Sequence, residues 1–251
     1  MARGETATRK ETVTPRRKTR PAATGGRLRR VLRWLVLAGL ATAALPLLLL
    51  LLYGVVPPVS TLMLGRWLTL QPAEREWVAL ADIAPALPQA VIASEDSRFC
   101  LHGGVDWGAL RQVIGDAGDD GPARGASTIP MQTVKNLVLW PGRSYVRKGL
   151  EVPLALYADA IWSKRRMMEN YLNIAEWGVG IFGAEAAARR YFGKSARNLT
   201  RREAALLATA LPNPRQRDPA RPARFHARAA NAVIARMPNE DAGCLAEAPA
   251  P

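Results

Sequence analysis

The sequence predicts a mainly α-helical domain that follows one N-terminal transmembrane helix. Two observations lead to this prediction: a long uncharged apolar run near the N-terminus, and Ala, Leu and Ile at helical spacing in most of the segments after it. No run of alternating β-branched residues predicts a sheet. With 251 residues, 49% hydrophobic and 22% charged, the chain is long enough for one packed domain and an appendage.

Positive charge is concentrated before the apolar run. Residues 1–33 hold 11 Lys and Arg against two Glu, whereas residues 57–251 hold 24 against 19. The first 33 residues lack apolar periodicity, so we predict a disordered basic tail, because too little apolar surface is available to offset the entropy of ordering. A basic tail beside a membrane suits anionic lipid, which argues against nucleic acid as a partner.

Residues 34–56 predict the transmembrane helix. These 23 residues carry no charge, and as a helix they would extend about 35 Å, against roughly 30 Å for the hydrocarbon core of a bilayer. A cleavable signal peptide would have a shorter apolar region of roughly 7–15 residues. A buried helix of a soluble protein is the alternative. Basic residues before the helix predict a cytoplasmic N-terminus in the inner membrane, with the following domain in the periplasm.

Residues 57–237 predict a single periplasmic domain, and residues 238–251 a flexible tail. Thr200 followed by Glu203 is a capping box that starts a helix. The predicted helices of this domain are 88–97, 108–117, 127–139, 146–173, 183–191, 200–211 and 225–237.

Two adjacent carboxylates, Glu95 and Asp96, end an Ala-, Val- and Ile-rich helical segment. The helix dipole is negative at this end, which with apolar neighbours should raise the pKa of a carboxyl group and suit it to general-base catalysis. The alternative is a pair of solvated helix-end charges held by Arg98. This cluster alone leaves both interpretations open.

The second cluster combines a helix start with a cation. Ser127 or Thr128 can cap a helix whose free N–H groups favour an anion, and Lys135 and Asn136 follow two turns later. An ordinary capped helix is the alternative.

The next cluster places Arg143, Arg147 and Lys148 before Glu151. Three cations could neutralise a diphosphate, and Lys148 and Glu151 share a helix face, although a simple intrahelical ion pair is the alternative.

A fourth cluster joins a helix to a turn rich in glycine and aromatic residues. Tyr171, Leu172, Trp177 and Phe182 are predicted to pack in the core or the turn. Asn173 is predicted to fix backbone groups, because it lies at a helix end.

The order of these clusters resembles the successive signatures of the family-51 peptidoglycan glycosyltransferases, over residues 88–214. A single N-terminal span resembles the monofunctional members of that family. Pro130-Met131 departs from the Thr or Ser followed by Gln that is common there. The matching signatures are Glu95-Asp96-x-x-Phe99-x-x-His102-x-Gly104, Gly125-x-Ser127-Thr128-Ile129-x-x-Gln132-x-x-Lys135-Asn136, Arg147-Lys148-x-x-Glu151 and Tyr171-Leu172-Asn173.

The resemblance implies a lysozyme-like, two-lobed fold and the polymerisation of lipid II into β-1,4-linked glycan, with inversion and release of undecaprenyl diphosphate. It implies Glu95 as the general base and Glu151 as the second catalytic residue, on the donor side. The apolar segment 137–141 is predicted to touch the bilayer. The residues that the resemblance assigns to substrate binding or its support are Asp96, His102, Ser127, Thr128, Gln132, Lys135, Asn136, Arg143, Arg147, Lys148 and Asn173.

The implied partners are lipid II, the growing glycan strand, the lipid bilayer, and proteins of cell division or elongation. No cofactor is required, and a divalent Mg²⁺ or Mn²⁺ ion beside Glu151 is the alternative. Only two His and two Cys are present, which leaves little for a metal centre. Cys100 and Cys244 could form a disulfide or remain free thiols, and the sequence leaves both open.

Three other functions compete with this one. A lytic enzyme of the lysozyme type would need a protonating Glu but no cluster of cations for a diphosphate. A membrane-tethered binding protein would need no general base. A bifunctional penicillin-binding protein is excluded, since no Ser-x-x-Lys or Lys-Thr-Gly motif occurs and no length remains for a transpeptidase domain.

Overall fold

The structure, a computed structural model, describes residues 24–115, 127–142 and 144–246. The chain divides into two compact units, Met1–Ala43 and Ala44–Pro251. Within the described residues the protein is mainly helical, as predicted. Helix α1 spans Thr24–Tyr53. The later helices are α2 (Thr61–Leu68), α3 (Ala86–Glu95), α4 (Trp107–Gly115), α5 (Ile129–Val138), α6 (Tyr145–Ile161), α7 (Lys164–Ile174), α8 (Ala184–Phe192), α9 (Arg201–Ala210) and α10 (Arg224–Arg236).

Helix α1 contains the predicted apolar span. Its segment Arg29–Tyr53 has a mean hydropathy of 2.6 and is long and apolar enough to cross a membrane. The helix begins ten residues before Trp34, so residues 24–33 of the predicted tail are helical, and residues 1–23 lie outside the described part of the chain. Leu and Arg are good helix formers and make up most of residues 27–33, whereas Gly25 and Gly26 disfavour a helix, so propensity accounts for only part of the earlier start. Almost all described side chains of this segment are exposed, as in a single-pass membrane anchor.

The last turn of α1 belongs to the second unit, and polar side chains of that unit hold it. Trp162 donates its indole N–H to the carbonyl of Leu50 at 3.0 Å. The guanidinium of Arg166 donates to the carbonyls of Tyr53 at 3.0 Å and Val56 at 2.7 Å. The last carbonyls of a helix have no partner within the helix, and a cation there also complements the dipole. These contacts fix where the apolar helix ends.

The core of the second unit forms where α5 packs against α6 and α7, and where α9 packs against α3 and α10. Thr128 caps α5, and Thr200 and Glu203 form the predicted capping box of α9. The predicted single helix 146–173 is two helices. Ser163 separates them, because its hydroxyl accepts the N–H of Arg166 at 3.1 Å and caps α7.

A small sheet accompanies the helices, which the sequence did not predict. Its strands are β1 (Glu74–Arg75), β2 (Glu176–Gly178) and β3 (Ile181–Phe182), in the order β1-β3-β2. Strand β1 runs parallel to β3, with Glu74 opposite Ile181, and β2 runs antiparallel to β3. Strands of two or three residues are too short to show alternation, so their pattern is invisible in the sequence.

The C-terminal segment differs from the predicted flexible tail. Residues Met237–Asn239 and Gly243–Leu245 form 3₁₀ turns, and Leu245 is buried in the core. Cys244 forms a disulfide with Cys100, which resolves the pairing that the sequence left open. Arg165 also donates to the carbonyl of Leu245 at 3.0 Å. A covalent bond and a buried apolar side chain together hold this segment to the domain through residue 246.

We expect the double variant Cys100→Ser/Cys244→Ser to unfold more easily than the oxidised protein. The disulfide closes a loop across 144 positions, and a cross-link of this kind typically adds about 2–4 kcal/mol to the free energy of unfolding. Denaturant titration of the full chain in detergent measures the change. A reductant should destabilise the wild type and leave the double variant unaffected. Equal stability of the two oxidised proteins would contradict the expectation.

Candidate active site

Glu95 is the last residue of α3, as predicted, and its carboxylate is half-buried. Gln132 donates its amide N–H to Oε2 at 3.1 Å, and Ser94 donates its hydroxyl to Oε1 at 3.2 Å. Burial raises the pKa of Glu95 above its ordinary value, while these two hydrogen bonds and the charges of Lys135 and Arg217 oppose the increase. A carboxylate with a raised pKa is a better proton acceptor, so this environment suits a general base.

Asp96 connects the end of α3 to the start of α5. Its oxygens lie 2.9 and 3.0 Å from Nε2 of His102, and Oδ2 accepts the backbone N–H of Ile129 at 2.8 Å. An anion at the first turn of α5 also complements the helix dipole. Arg98 instead approaches Asp106 at 3.4 Å with its side chain 56% exposed. The interpretation of Glu95 and Asp96 as solvated charges held by Arg98 is therefore wrong.

His102 and Thr128 support the loop between α3 and α4 from inside the protein. His102 has a buried side chain. The hydroxyl of Thr128 donates to the carbonyl of Gly104 at 2.6 Å and accepts the N–H of Met131 at 3.3 Å. Gly104 has a φ of 84°, and a Cβ there would lie 2.6 Å from the carbonyl oxygen of Ala155. The buried hydroxyl of Thr128 therefore joins this loop to the start of α5, and the contact with substrate that the resemblance implies stays a prediction.

Glu151 lies on α6 between two cations. Its side chain is 2% exposed, and its two oxygens accept from Arg147 and, at 2.9 Å, from Lys148. Lys148 is 41% exposed and also donates to the hydroxyl of Ser127. Both contacts are intrahelical ion pairs, but they differ from a simple pair because one buried carboxylate holds two cations in place. The two cations carry one positive charge more than Glu151 neutralises, and this excess charge is available to bind an anion.

Lys135, on α5, is half-buried. Burial lowers its pKa, Glu151 and Glu95 raise it, and Arg147 and Lys148 lower it further.

Hydrogen bonds bring both carboxylates to α5. Gln132 of this helix donates to Glu95, and Ser127, directly before the helix, accepts from Lys148, the partner of Glu151. The general-base candidate and the cation cluster therefore both adjoin α5.

Three further residues that the resemblance assigns to substrate binding are Asn173, Asn136 and Arg143. Asn173 is buried, and its amide exchanges hydrogen bonds of 3.0 and 2.9 Å with the backbone of Val78. It therefore fixes backbone groups, as its place at a helix end predicts, and its role in substrate binding stays a prediction. Asn136 is half-buried next to Lys135, and its carbonyl accepts from Thr61 at 3.1 Å. Arg143 lies outside the described residues.

The apolar segment 137–141, predicted to touch the bilayer, is divided between the core and the surface. Leu137 and Leu139 are buried, whereas Trp140 is 47% exposed. Further exposed apolar side chains occur at Tyr145 and Val146, directly before the two cations of α6. A cavity of about 320 Å³ lies beside them, lined by Ser144, Tyr145, Arg147 and Lys148. Helical spacing identified α5 but could not show which of its faces packs against α6 and α7.

Sequence reasoning missed two residues that act on Glu95. Tyr171, assigned to packing, is buried and donates its hydroxyl to Oε1 of Gln132 at 3.1 Å. The available signal was that a buried tyrosine needs a partner for its hydroxyl. Arg217, in the loop after α9, contributes its charge to Glu95. No pattern in that Pro- and Arg-rich loop indicates this.

Comparison with known proteins identifies the class of enzyme to which this site belongs. Residues 63–238 match the protein family described as Transglycosylase. The chain belongs to this family, and the resemblance seen in its motifs is confirmed.

Several relatives share the name biosynthetic peptidoglycan transglycosylase. The protein of that name from Brucella suis biovar 1 is 58% identical over 214 residues, which cover 84% of this chain and 94% of the relative. Those from Rhizobium meliloti and Agrobacterium fabrum are 54% and 52% identical over 215 residues, covering 85% and 84% of this chain and 91% and 95% of the relatives.

We expect Asp96→Asn to lower the free energy of unfolding by about 1–3 kcal/mol, because it replaces a buried acceptor of two hydrogen bonds with a weaker one. Denaturant titration in detergent measures this change. Arg98→Ala is the matched control: it removes an exposed ion pair from the same loop and should change stability by at most about 0.5 kcal/mol. Equal effects of the two substitutions would contradict the central place given to Asp96.

Proposed function

We propose that this peptidoglycan glycosyltransferase polymerises lipid II into β-1,4-linked glycan, with inversion at the reacting sugar carbon and release of undecaprenyl diphosphate. One arrangement carries the proposal. Glu95 accepts from Gln132 on α5, and Lys148, which pairs with Glu151, donates to Ser127 directly before α5, so a base and an anion-binding cluster meet at one helix. Transfer of a sugar from a diphosphate to a hydroxyl needs both parts: the nucleophile must lose a proton, and the leaving group must carry negative charge.

On the acceptor side, Glu95 takes the proton of the sugar 4-hydroxyl. The hydroxyl oxygen forms a bond to the anomeric carbon of the donor, from the face opposite the diphosphate. The bond from that carbon to the phosphate oxygen breaks, and its electron pair leaves with the diphosphate. The raised pKa of Glu95 brings its basicity closer to that needed at neutral pH.

On the donor side, the cations bind the diphosphate. This leaving group is already an anion at neutral pH, so it needs charge neutralisation more than protonation. Lys148 is partly exposed and can reach a ligand, while buried Glu151, which is also paired with Arg147, holds it in position. We assign Glu151 to orienting the cations, because both of its oxygens are occupied by them.

A divalent cation fits Glu151 poorly. A Mg²⁺ or Mn²⁺ ion would need carboxylate oxygens that Arg147 and Lys148 already occupy. Among the described residues, no group of three His, Cys, Asp or Glu forms a metal site. The proposal assigns neutralisation of the diphosphate to the side-chain cations, and a divalent ion bound by the phosphates themselves stays the alternative.

The membrane completes the proposed site. Exposed Tyr145 and Val146 adjoin Arg147 and Lys148, which suits a ligand with an apolar tail and an anionic head. Helix α1 would hold the enzyme in the same membrane as its substrate and so raise the effective concentration of both. The basic residues before it support a cytoplasmic N-terminus, an inner-membrane location and a periplasmic domain. Partners in cell division or elongation stay a prediction.

Glycan cleavage is the competing function. A lytic enzyme needs an acid for the leaving sugar but has no use for buried cations beside its second carboxylate. The group formed by Arg147, Lys148 and Glu151 therefore favours synthesis. Purified full-length protein should convert labelled lipid II into polymer and release no soluble fragments from isolated cell-wall sacculi. Release of fragments without polymerisation would overturn the proposal.

We expect Glu95→Gln to lower the polymerisation rate at least 100-fold, since loss of a general base typically costs 10²–10⁴-fold. Binding of labelled lipid II should remain, because the cation cluster is unchanged. The matched control is Glu76→Gln, at a glutamate whose side chain is 53% exposed and paired with Arg189; its rate should stay within about twofold of wild type. A Glu95→Gln protein with wild-type activity would leave a binding or scaffold role as the better explanation.

We expect Lys148→Met to lower kcat about 100-fold, as for loss of one donor that stabilises developing negative charge. Arg147 and Glu151 still pair in this variant, so the fold should be preserved. The matched control is Lys194→Met, which removes a partly exposed lysine paired with Glu203. Turnover of lipid II at saturating concentration measures both variants. An unchanged kcat in Lys148→Met would contradict the proposed role of the cations in stabilising the leaving diphosphate.

A further inference from the structure

We propose that Tyr171 is a positioning residue for Glu95: its hydroxyl fixes the side-chain amide of Gln132 so that the amide N–H points at the carboxylate. The inference rests on the proposed role of Glu95 as the general base. It adds a fourth helix, α7, to a site otherwise built from α3, α5 and α6.

The contacts form a chain across three helices. The hydroxyl of Tyr171 on α7 lies 3.1 Å from Oε1 of Gln132 on α5. Nε2 of the same amide lies 3.1 Å from Oε2 of Glu95 at the end of α3. Tyr171 is 1% exposed, so water cannot readily reach its hydroxyl and replace this hydrogen bond.

The direction of the hydrogen bonds follows from the chemistry of the groups. Burial raises the pKa of Tyr171 well above its ordinary value, and the charges of Glu95 and Asp96 raise it further. The phenol is therefore protonated and donates its only hydrogen. Since the amide of Gln132 has one acceptor end and one donor end, a hydroxyl that occupies the oxygen leaves the N–H₂ facing Glu95.

A reversed amide would place its oxygen against the ionised carboxylate. That arrangement is unfavourable while Glu95 carries a charge and becomes acceptable once Glu95 holds a proton, because a protonated carboxyl can donate to the amide oxygen. Tyr171 opposes this reversal. It therefore favours the ionised form of Glu95, which is the form that can accept a proton from the sugar hydroxyl.

The other groups that act on Glu95 do not depend on Tyr171. Ser94 on α3 donates to Oε1 at 3.2 Å, and the charges of Lys135 on α5 and Arg217 after α9 favour the carboxylate. These contributions remain when Tyr171 is changed. The effect of Tyr171 should therefore be a limited shift in the proton affinity of Glu95 and not a loss of the site.

The test is the pH dependence of lipid II polymerisation by full-length Tyr171→Phe. Removing the hydroxyl frees the amide of Gln132, so the pKa of Glu95 should rise. The acidic limb of the kcat/KM profile should therefore move to higher pH by about half to one unit. At a fixed pH on this limb, kcat/KM should be about 3- to 10-fold lower. On the plateau, where Glu95 is ionised in both enzymes, the rates should agree within about twofold. A role confined to packing would lower the rate by one factor at every pH.

Tyr191→Phe is the matched control, because it removes another tyrosine hydroxyl that donates, to the carbonyl of Trp177 at 3.1 Å. Its acidic limb should stay at the wild-type position. A double-mutant cycle with Gln132→Ala separates the path of the effect. Gln132→Ala alone should move the limb upward, and adding Tyr171→Phe to it should produce no further shift.

The inference is overturned if Tyr171→Phe leaves the limb in place, if its shift persists in the Gln132→Ala background, or if the wild type has no acidic limb. If Tyr171→Phe does not fold, Gln132→Ala is the deciding variant. An acidic limb that Gln132→Ala leaves at the wild-type pH would contradict the proposed chain of contacts. These outcomes are distinct from a failure of the proposed function. In that case wild type would not polymerise lipid II, or Glu95→Gln would retain full activity.

Discussion

The rest of the site depends on the hydrogen bonds that Asp96 forms with His102 and with the backbone of Ile129. By accepting from the start of α5 and pairing with His102, this buried carboxylate joins two helices that are 33 residues apart in sequence at their meeting point. Its neighbour Glu95 is thereby fixed relative to Gln132 and Lys135, which both lie on α5. This connection, together with the bonds of Gln132 to Glu95 and of Thr128 to Gly104, ties the segment of the proposed base to α5.

The two glutamates of the site lie in different surroundings. Glu95 is half-buried with amide and hydroxyl donors, and burial raises its pKa. Glu151 is buried and enclosed by the ions of Arg147 and Lys148. In the proposed mechanism Glu95 accepts a proton while Glu151 positions the cations, which is a general way in which a pair of carboxyl groups divides its roles. The surroundings, and not the residue type, define each role.

Much of the polar interior serves positioning. Thr128 holds the loop at Gly104, Asn173 holds the backbone at Val78, and Tyr171 reaches Gln132. Each is a buried polar group whose hydrogen-bonding capacity is met by a distant segment, as the cost of an unpaired buried group demands. The groups left partly exposed, Lys148 above all, are the ones that a ligand can meet.

The sequence by itself determined most of the helices, the apolar span, the carboxylate at the end of α3 and the cations of α6, because these follow from spacing, caps and charge along one segment. Only the tertiary structure decided what each side chain meets. It placed Leu137 in the core, joined Thr128 to Gly104 and Asn173 to Val78, and brought Tyr171 to Gln132 beside the proposed base. Spacing shows which face of a helix a residue shares, but the partner of that face lies on another segment, and its identity depends on how the helices pack.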